Sequence, residues 1–267
     1  MKKKVAVAMS GGVDSSLTAA LLIEQGYDVI GVTMTLSDES REAGGSTAVS
    51  DAKKVADALN IPHYVVNYHK KFKDDVIKYF ISEYAKGRTP NPCVRCNNTV
   101  KFGSLLKDCL ELGADCVATG HYARIEQDEK TGRYLLKKGL DVRKDQSYVL
   151  YTLTQDVLKH FMLPLGNYSK EKTRELAGKM NLPVANKPES QEICFIPNDD
   201  YKAYLKAKAP HILKPGDIVD VNGNKLGRHE GVPLYTVGQR KGLGIAAAYP
   251  LYLSLIHISE PTRQAEI

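Results

Sequence analysis

VAVAMSGGVDSSLTAALLIEQG, Val5–Gly26, spells out one complete structural unit. It opens on a short run of valine and alanine, as a buried parallel strand does. A glycine turn follows at Gly11 and Gly12. Helical spacing then starts on serines and stops at Gly26. Strand, glycine turn and helix together form the opening unit of an α/β sheet. Such sheets carry their sites outside the carboxyl ends of the strands.

The same rhythm continues outward. DVIGVTM (Asp28–Met34) reads as a second strand. SDESREAGGSTAVS is polar and glycine-bearing and reads as a loop. DAKKVADALN reads as a helix and HYVVNY as a third strand. FKDDVIKYFISEYAKG is amphipathic and ends on glycine. RTPNPCVRCNN, interrupted by two prolines, is expected to be a loop. TVKFGSLLKDCLELG is helical, and ADCVATGHYA is a strand and turn. The pattern predicts a doubly wound parallel sheet. After about Gln155 the rhythm changes. SKEKTRELAGKMN and DDYKAYLKAKA read as helices of a smaller unit. The segment from Pro215 is rich in β and turn signals, with NGN as a hairpin turn.

The 267 residues suffice for one large domain and a smaller one. The formal charge of +6 suits a phosphate-rich partner or a solvated surface. No apolar run reaches membrane-spanning length. The N-terminal apolar run leads straight into the glycine turn, so it reads as the first strand and not as a signal peptide. Five cysteines without a secretion signal point to a reducing cytoplasm, where a disulfide is transient.

The turn Ser10-Gly11-Gly12-Val13-Asp14-Ser15-Ser16 lacks the lysine of the common phosphate loop. Its glycines admit a ligand close to the backbone, and the helix behind it offers unpaired N–H groups to an anion. Ser10, Ser15 and Ser16 add hydroxyls. A carboxylate at Asp14 would repel a phosphate unless a cation lay between, which implies Mg²⁺; the alternative is that Asp14 merely caps the helix. The string S-G-G-x-D-S-[ST] after a first strand resembles the loop of the N-type ATP-pyrophosphatases. That resemblance implies an adenine nucleotide alpha hydrolase-like fold and cleavage of ATP between the α and β phosphates.

Cys93 and Cys96 form C-x-x-C, and Cys194 lies in ESQEICFIP. Cys109 and Cys116 fall on a helix face and in a strand, where inert buried thiols are expected. A structural zinc wants four ligands, and no second ligand pair is present. Cys93, Cys96 and Cys194 suit either persulfide chemistry or an iron–sulfur cluster with one open iron site.

AMSGGVDSS, GRTPNPCVRCNNTVKF, ATGHYAR, KDQSYVLY, LPLG, ESQEICFIP and YTVGQRKGLGI occur in the order seen in tRNA-specific 2-thiouridylases. The chain resembles that family to about Ile245. The resemblance implies ATP-dependent replacement of the wobble uridine's O2 by sulfur. It implies ATP-binding roles for Ala8, Met9, Ser10, Gly11, Gly12, Val13, Asp14, Ser15, Met34 and Gly120. It places the target base against Asn91, Pro92 and Cys93, and tRNA against Lys144, Asp145 and Gln146. Cys96 matches the nucleophile and Cys194 the persulfide carrier; a transient Cys96–Cys194 disulfide follows from those roles. The implied partners are tRNA and a sulfur donor, either a persulfide carrier or a cysteine desulfurase. On residue type alone, Lys70, Lys71, Lys73, Arg143, Lys144, Arg240 and Lys241 are candidate phosphate contacts. His121 is expected to be structural.

Two departures stand out. The family's cysteine-rich stretch after the second strand is here SDESREAGGSTAVSDAKKVA, without cysteine. Many relatives carry aspartate where Cys93 stands, and the extra thiol favours a cluster. The ending LSLIHISEPTRQAEI continues neither pattern nor composition, and its LSLIHISEPTR matches the translation of a common sequencing-library adapter. The expected organisation is a catalytic domain over 1–160, a helical tRNA-contacting connector over 161–210, a small β-rich central domain over 211–252 and a non-native tail over 253–267. The family's C-terminal β-barrel is then expected to be missing, with weaker tRNA binding as the result. The rival readings are an adenylating synthetase for a small carboxylate or amide, which needs no paired thiols, and a non-enzymatic nucleotide- or RNA-binding module, which releases no pyrophosphate.

Overall fold

A computed structural model describes residues 2–36, 46–189, 193–247 and 249–254, together with the strand at 265–266. In chain order the elements are β1 (Lys4–Ala8), α1 (Val13–Glu24), β2 (Asp28–Thr35), α2 (Ser46–Ala58), β3 (His63–Asn67), α3 (His69–Phe72), α4 (Lys78–Ala85), α5 (Pro92–Cys96), α6 (Leu105–Glu111), β4 (Cys116–Ala118), β5 (Ala123–Gln127), β6 (Tyr134–Lys138), α7 (Gln155–Leu158), β7 (Phe161–Met162), α8 (Lys170–Lys179), α9 (Tyr201–Lys208), β8 (Gly216–Val219), β9 (Lys225–His229) and β10 (Ala265–Glu266). The contacts divide the chain into two units, one of 1–75 and 93–191, the other of 76–92 and 192–267.

The first unit is built on a five-stranded sheet in the order β3-β2-β1-β4-β7. Every pairing in it is parallel, as the alternating sequence pattern predicts. Val5, Ala6 and Val7 are fully buried, which is why β1 carries no polar side chain between Lys4 and Ala8. One core layer joins β1 and Met9 to Leu22 of α1 and to Ala52, Val55 and Ala56 of α2. Another joins Leu17 and Leu21 of α1 to Leu165, Ala177 and Leu182. From β1 the chain proceeds to β2 and β3 on one side and to β4 and β7 on the other. The strand order therefore reverses between β1 and β4, and the crevice outside their carboxyl ends is where such sheets bind ligands.

Two local features depart from the sequence expectations. RTPNPCVRCNN is not a loop throughout: Pro92 begins α5, and the helix continues through a wide π turn at Asn97–Ser104 into α6. Proline at the first helical position loses no hydrogen bond, because that N–H has no helical partner anyway. The stretch after His121, unassigned by periodicity, forms the antiparallel hairpin β5–β6.

In the second unit β8 pairs antiparallel with β9 around the NGN turn, where Gly223 adopts φ +84°. β10 adds in parallel to β8. Phe80 and Tyr84 of α4 meet Phe195, Tyr201 and Tyr204 in an aromatic cluster, with Phe80 and Phe195 edge to face at 5.3 Å. Apart from β10, the expected tail is described only at Leu253 and Ser254; the rest of it, like most of the expected loop after β2, lies outside the described residues.

Candidate functional site

The turn after β1 sits at the switch point. Gly11 has φ +69°, and a Cβ there would lie 2.4 Å from the Ala48 carbonyl oxygen, so only glycine is accommodated. Gly120, in the turn after β4, meets the same loop from the other side. A Cβ on it would come within 2.9 Å of the Asp14 carbonyl carbon and 3.0 Å of the Ser15 nitrogen. The two glycines let two loops and a helix start share one crevice.

The loop's carbonyls are taken up by side chains. Thr33 donates to the Met9 oxygen at 2.9 Å. Lys187 donates to the Gly11 oxygen at 3.0 Å and to Asp51 at 2.8 Å. Ser16 and Ser15 donate to the Gly12 oxygen at 2.8 and 3.3 Å. The Ser15 hydroxyl also accepts from the Ser10 N–H at 3.1 Å. The serines therefore brace the turn as well as line it. Ala8 and Gly12 are half-buried, Met9, Val13 and Ser15 buried, and Ser10 exposed. Met34 stands half-buried beside Val66 in the register of β2 with β3.

Asp14 does not cap α1; Gly12 holds the cap position without a side-chain bond. A cation does stand beside Asp14, and it is Lys170 at the start of α8. Its ammonium donates to both carboxylate oxygens at 2.7 Å, with only 12% of its side chain exposed. The Tyr122 hydroxyl donates to Asp14 as well, at 2.9 Å. Glu189 reaches Lys170 at 3.7 Å and Lys144 at 2.8 Å, and the Lys144 partner holds the Glu189 carboxyl below its ordinary range. Lys187 does the same to Asp51. Lys170, Lys187, Glu189 and Tyr122 escaped the sequence reading, since lone lysines in KEKTREL and NKPES look like solvated surface. Tyr122 and Glu189 lie inside ATGHYAR and ESQEICFIP, and the two lysines carry no signal beyond nearness to such motifs.

With both oxygens of Asp14 engaged, the loop does not fit a resident metal. Among the described residues no three His, Cys, Asp or Glu side chains gather as a metal-binding group.

Cys93 and Cys96 lie three residues apart on α5, yet Cys93 is exposed and Cys96 only 6% exposed. Burial pushes the Cys96 thiol up, against the lowering effect of Lys101. Cys194 is exposed, and belongs to the second unit. Asn91 is exposed and Pro92 buried. Cys109 and Cys116 are buried, as expected.

Lys144, Asp145 and Gln146 are half-buried. Asp145 accepts from the N–H groups of Gly139 and Ser147 and from the Ser147 hydroxyl, at 2.9, 3.2 and 2.7 Å. Gln146 accepts the Tyr122 N–H through its side chain and donates its own N–H to the Tyr122 carbonyl, both at 2.9 Å. These two residues shape the loop, tying it to the turn after β4. Of the other candidate phosphate contacts, Lys70 and Lys71 pair with Asp74 and Asp75 one helical turn on, Arg143 lies 3.5 Å from Glu171, and Lys73, Arg240 and Lys241 are exposed. His121 packs against Phe102 and shares a 2.7 Å hydrogen bond with Thr119. Burial pushes its imidazole down to about 3.

The family profile described as tRNA methyl transferase HUP domain matches residues 3–198, and that described as tRNA methyl transferase PRC-barrel domain matches residues 202–262. The chain is 56% identical over 260 residues to the tRNA-specific 2-thiouridylase MnmA of Carboxydothermus hydrogenoformans, spanning 94% of this chain and 71% of that protein. It is 57% identical over 261 residues to tRNA-specific 2-thiouridylase MnmA 1 of Caldanaerobacter subterraneus subsp. tengcongensis, spanning 95% and 72%. Among solved structures, U34-tRNA thiolase NcsA from Methanococcus maripaludis aligns at TM-score 0.47 and 20% identity over 79% of this chain and 69% of that one, a likeness too distant to add to the family match.

Proposed function

This chain belongs to the tRNA-specific 2-thiouridylase family, and on that premise we propose that it replaces O2 of the tRNA wobble uridine by sulfur at the expense of ATP. The observation that carries the nucleotide half of this reading is the donor-lined loop at the β1/β4 switch point, with Lys170 beside it. ATP, with the Mg²⁺ it brings as part of the substrate, occupies that crevice. The N–H groups opening α1 face its phosphates. Ala8 to Ser15, Met34 and Gly120 line the pocket, and Lys170 exchanges Asp14 for phosphate oxygen as the nucleotide enters.

Uracil O2 attacks the α-phosphorus and pyrophosphate leaves, so O2 becomes part of a phosphate ester that departs readily. The outer sulfur of a persulfide on Cys194 attacks C2, and AMP leaves with O2. The Cys96 thiolate, its proton lost to solvent, attacks Sγ of Cys194. The S–S bond to the base breaks, its electron pair stays on the sulfur at C2, and a Cys96–Cys194 disulfide remains. A dithiol reductant reopens that disulfide, which suits a reducing cytoplasm, and a persulfide-bearing donor protein reloads Cys194. Burial holds Cys96 as the thiol at rest, which protects it until tRNA is bound. The target base leaves the anticodon stack to reach Asn91, Pro92 and Cys93. Lys144 contacts the tRNA, with Asp145 and Gln146 setting the loop that presents it.

The test is incubation with ATP, a sulfur donor and unmodified tRNA, read as retardation of thiolated tRNA on a mercury-containing gel. Wild type should shift the tRNA; Cys96→Ser and Cys194→Ser should not. A wild type that shifts no tRNA, but releases pyrophosphate from ATP with a small carboxylate as well as Cys96→Ser does, would favour a synthetase instead.

A further inference from the structure

The run Leu140–Tyr151, LDVRKDQSYVLY, leaves four large apolar side chains in water: Leu140, Val142, Tyr148 and Tyr151, the two tyrosines at 62% and 71% exposure. Between the tyrosines, Val149 and Leu150 are buried. The turn that carries them is fixed from three directions. Asp145 and Gln146 tie it to Gly139, Ser147 and Tyr122. Asn97, itself buried and next to Cys96, donates its side-chain amide to the Val149 carbonyl at 3.1 Å. A fold gains nothing from holding two phenol rings in solvent on so rigid a mount. The same run carries Arg143, highly exposed, and Lys144.

Exposed aromatic faces on a fixed mount, interleaved with cations and tied to the helix of Cys96, have the chemistry that receives unstacked bases. We propose that Tyr148 and Tyr151 are stacking platforms for tRNA bases that leave the anticodon stack along with the wobble uridine. The proposal rests on the tRNA reading above and names two residues to which neither the residue patterns nor the resemblance gave a role.

Binding of an unmodified anticodon stem-loop, followed by fluorescence anisotropy at several salt concentrations, tests it. Tyr148→Ala and Tyr151→Ala should each weaken binding about 5-fold or more, the loss expected for one stacked base. Tyr→Phe at either position should stay within about twofold of wild type, because the stacking ring is kept. The salt slope should not change, since no phosphate contact is removed. Melting temperature should also be unchanged, which separates lost stacking from lost folding. Alanine variants that bind like wild type, or phenylalanine variants that lose as much as alanine, overturn the proposal. So do alanine variants that bind RNA normally but fail to thiolate only when sulfur must come from a donor protein, which would make the tyrosines a protein-docking surface. A wild-type chain that binds no RNA overturns the tRNA reading itself, and this proposal with it.

Discussion

Lys170 is the residue on which the nucleotide loop depends most. Its ammonium is shared by Asp14 and Glu189, and in the proposed function it stands in for the lysine that a common phosphate loop carries itself. Lys170→Met should weaken ATP binding about tenfold or more, since charge-assisted bonds are worth roughly 1.5–3 kcal/mol. Adding Asp14→Asn should recover part of that loss, because the stranded carboxylate is then neutral; isothermal titration of Lys170→Met, Asp14→Asn and the double variant measures the coupling. Gly120→Ala places a methyl against backbone that cannot yield. It should cost about 1–3 kcal/mol of stability and reduce ATP affinity with it, read by melting and by the same titration. His121 has a pH signature. Its folded pKa, about 3, lies below the unfolded value of about 6.5, so the unfolded chain binds the extra proton. Its contribution is complete above that upper value and is lost progressively as pH falls through the window. His121→Gln should flatten this acid limb of a melting-temperature profile while leaving the neutral side nearly level.

At the scale of elements, α5 sets two thiols on one helical face with opposite access. Iodoacetamide should label Cys93 at least about tenfold faster than Cys96, because the raised pKa leaves Cys96 little thiolate; peptide mass spectrometry of a time course decides it. This helix also marks the limit of what sequence could say. Pro90 and Pro92 read as loop residues, because proline is a breaker everywhere except at a helix start, and only the later residues reveal that a start is present. β1, α1, β2 and β3 were legible because their hydrophobic patterns are local. The hairpin β5–β6 was not, since ARIEQ and YLLKK are mostly half-buried and show no clean alternation. In the site, glycines and cysteines announced themselves by type. Lys170, 156 positions from Asp14, did not, because an ion pair across that distance leaves no trace in spacing.

At the scale of the whole molecule, the second unit draws α4 from the middle of the first unit's sequence. An aromatic cluster built from Phe80, Tyr84, Phe195, Tyr201 and Tyr204 holds that arrangement. A linear reading has no means of seeing it, because each ring looks like ordinary core of its own segment. The net charge of +6 belongs to this scale too. Binding of tRNA should weaken with added salt, log K falling by about 0.7 per neutralised phosphate for single-stranded contacts. Filter binding from low to physiological salt measures the slope, and Arg143→Ala should make it shallower.

The capped carbonyls of the loop have a selective consequence. The Met9, Gly11 and Gly12 carbonyls already accept from Thr33, Lys187 and the two serines. That part of the crevice rim has less acceptor capacity left to offer an incoming molecule. A guest that needs acceptors is poorly served there, whereas one rich in oxygen asks for none. A preference for polyphosphate over bare adenosine is what such a rim should produce by subtraction, from oxygens already partly engaged.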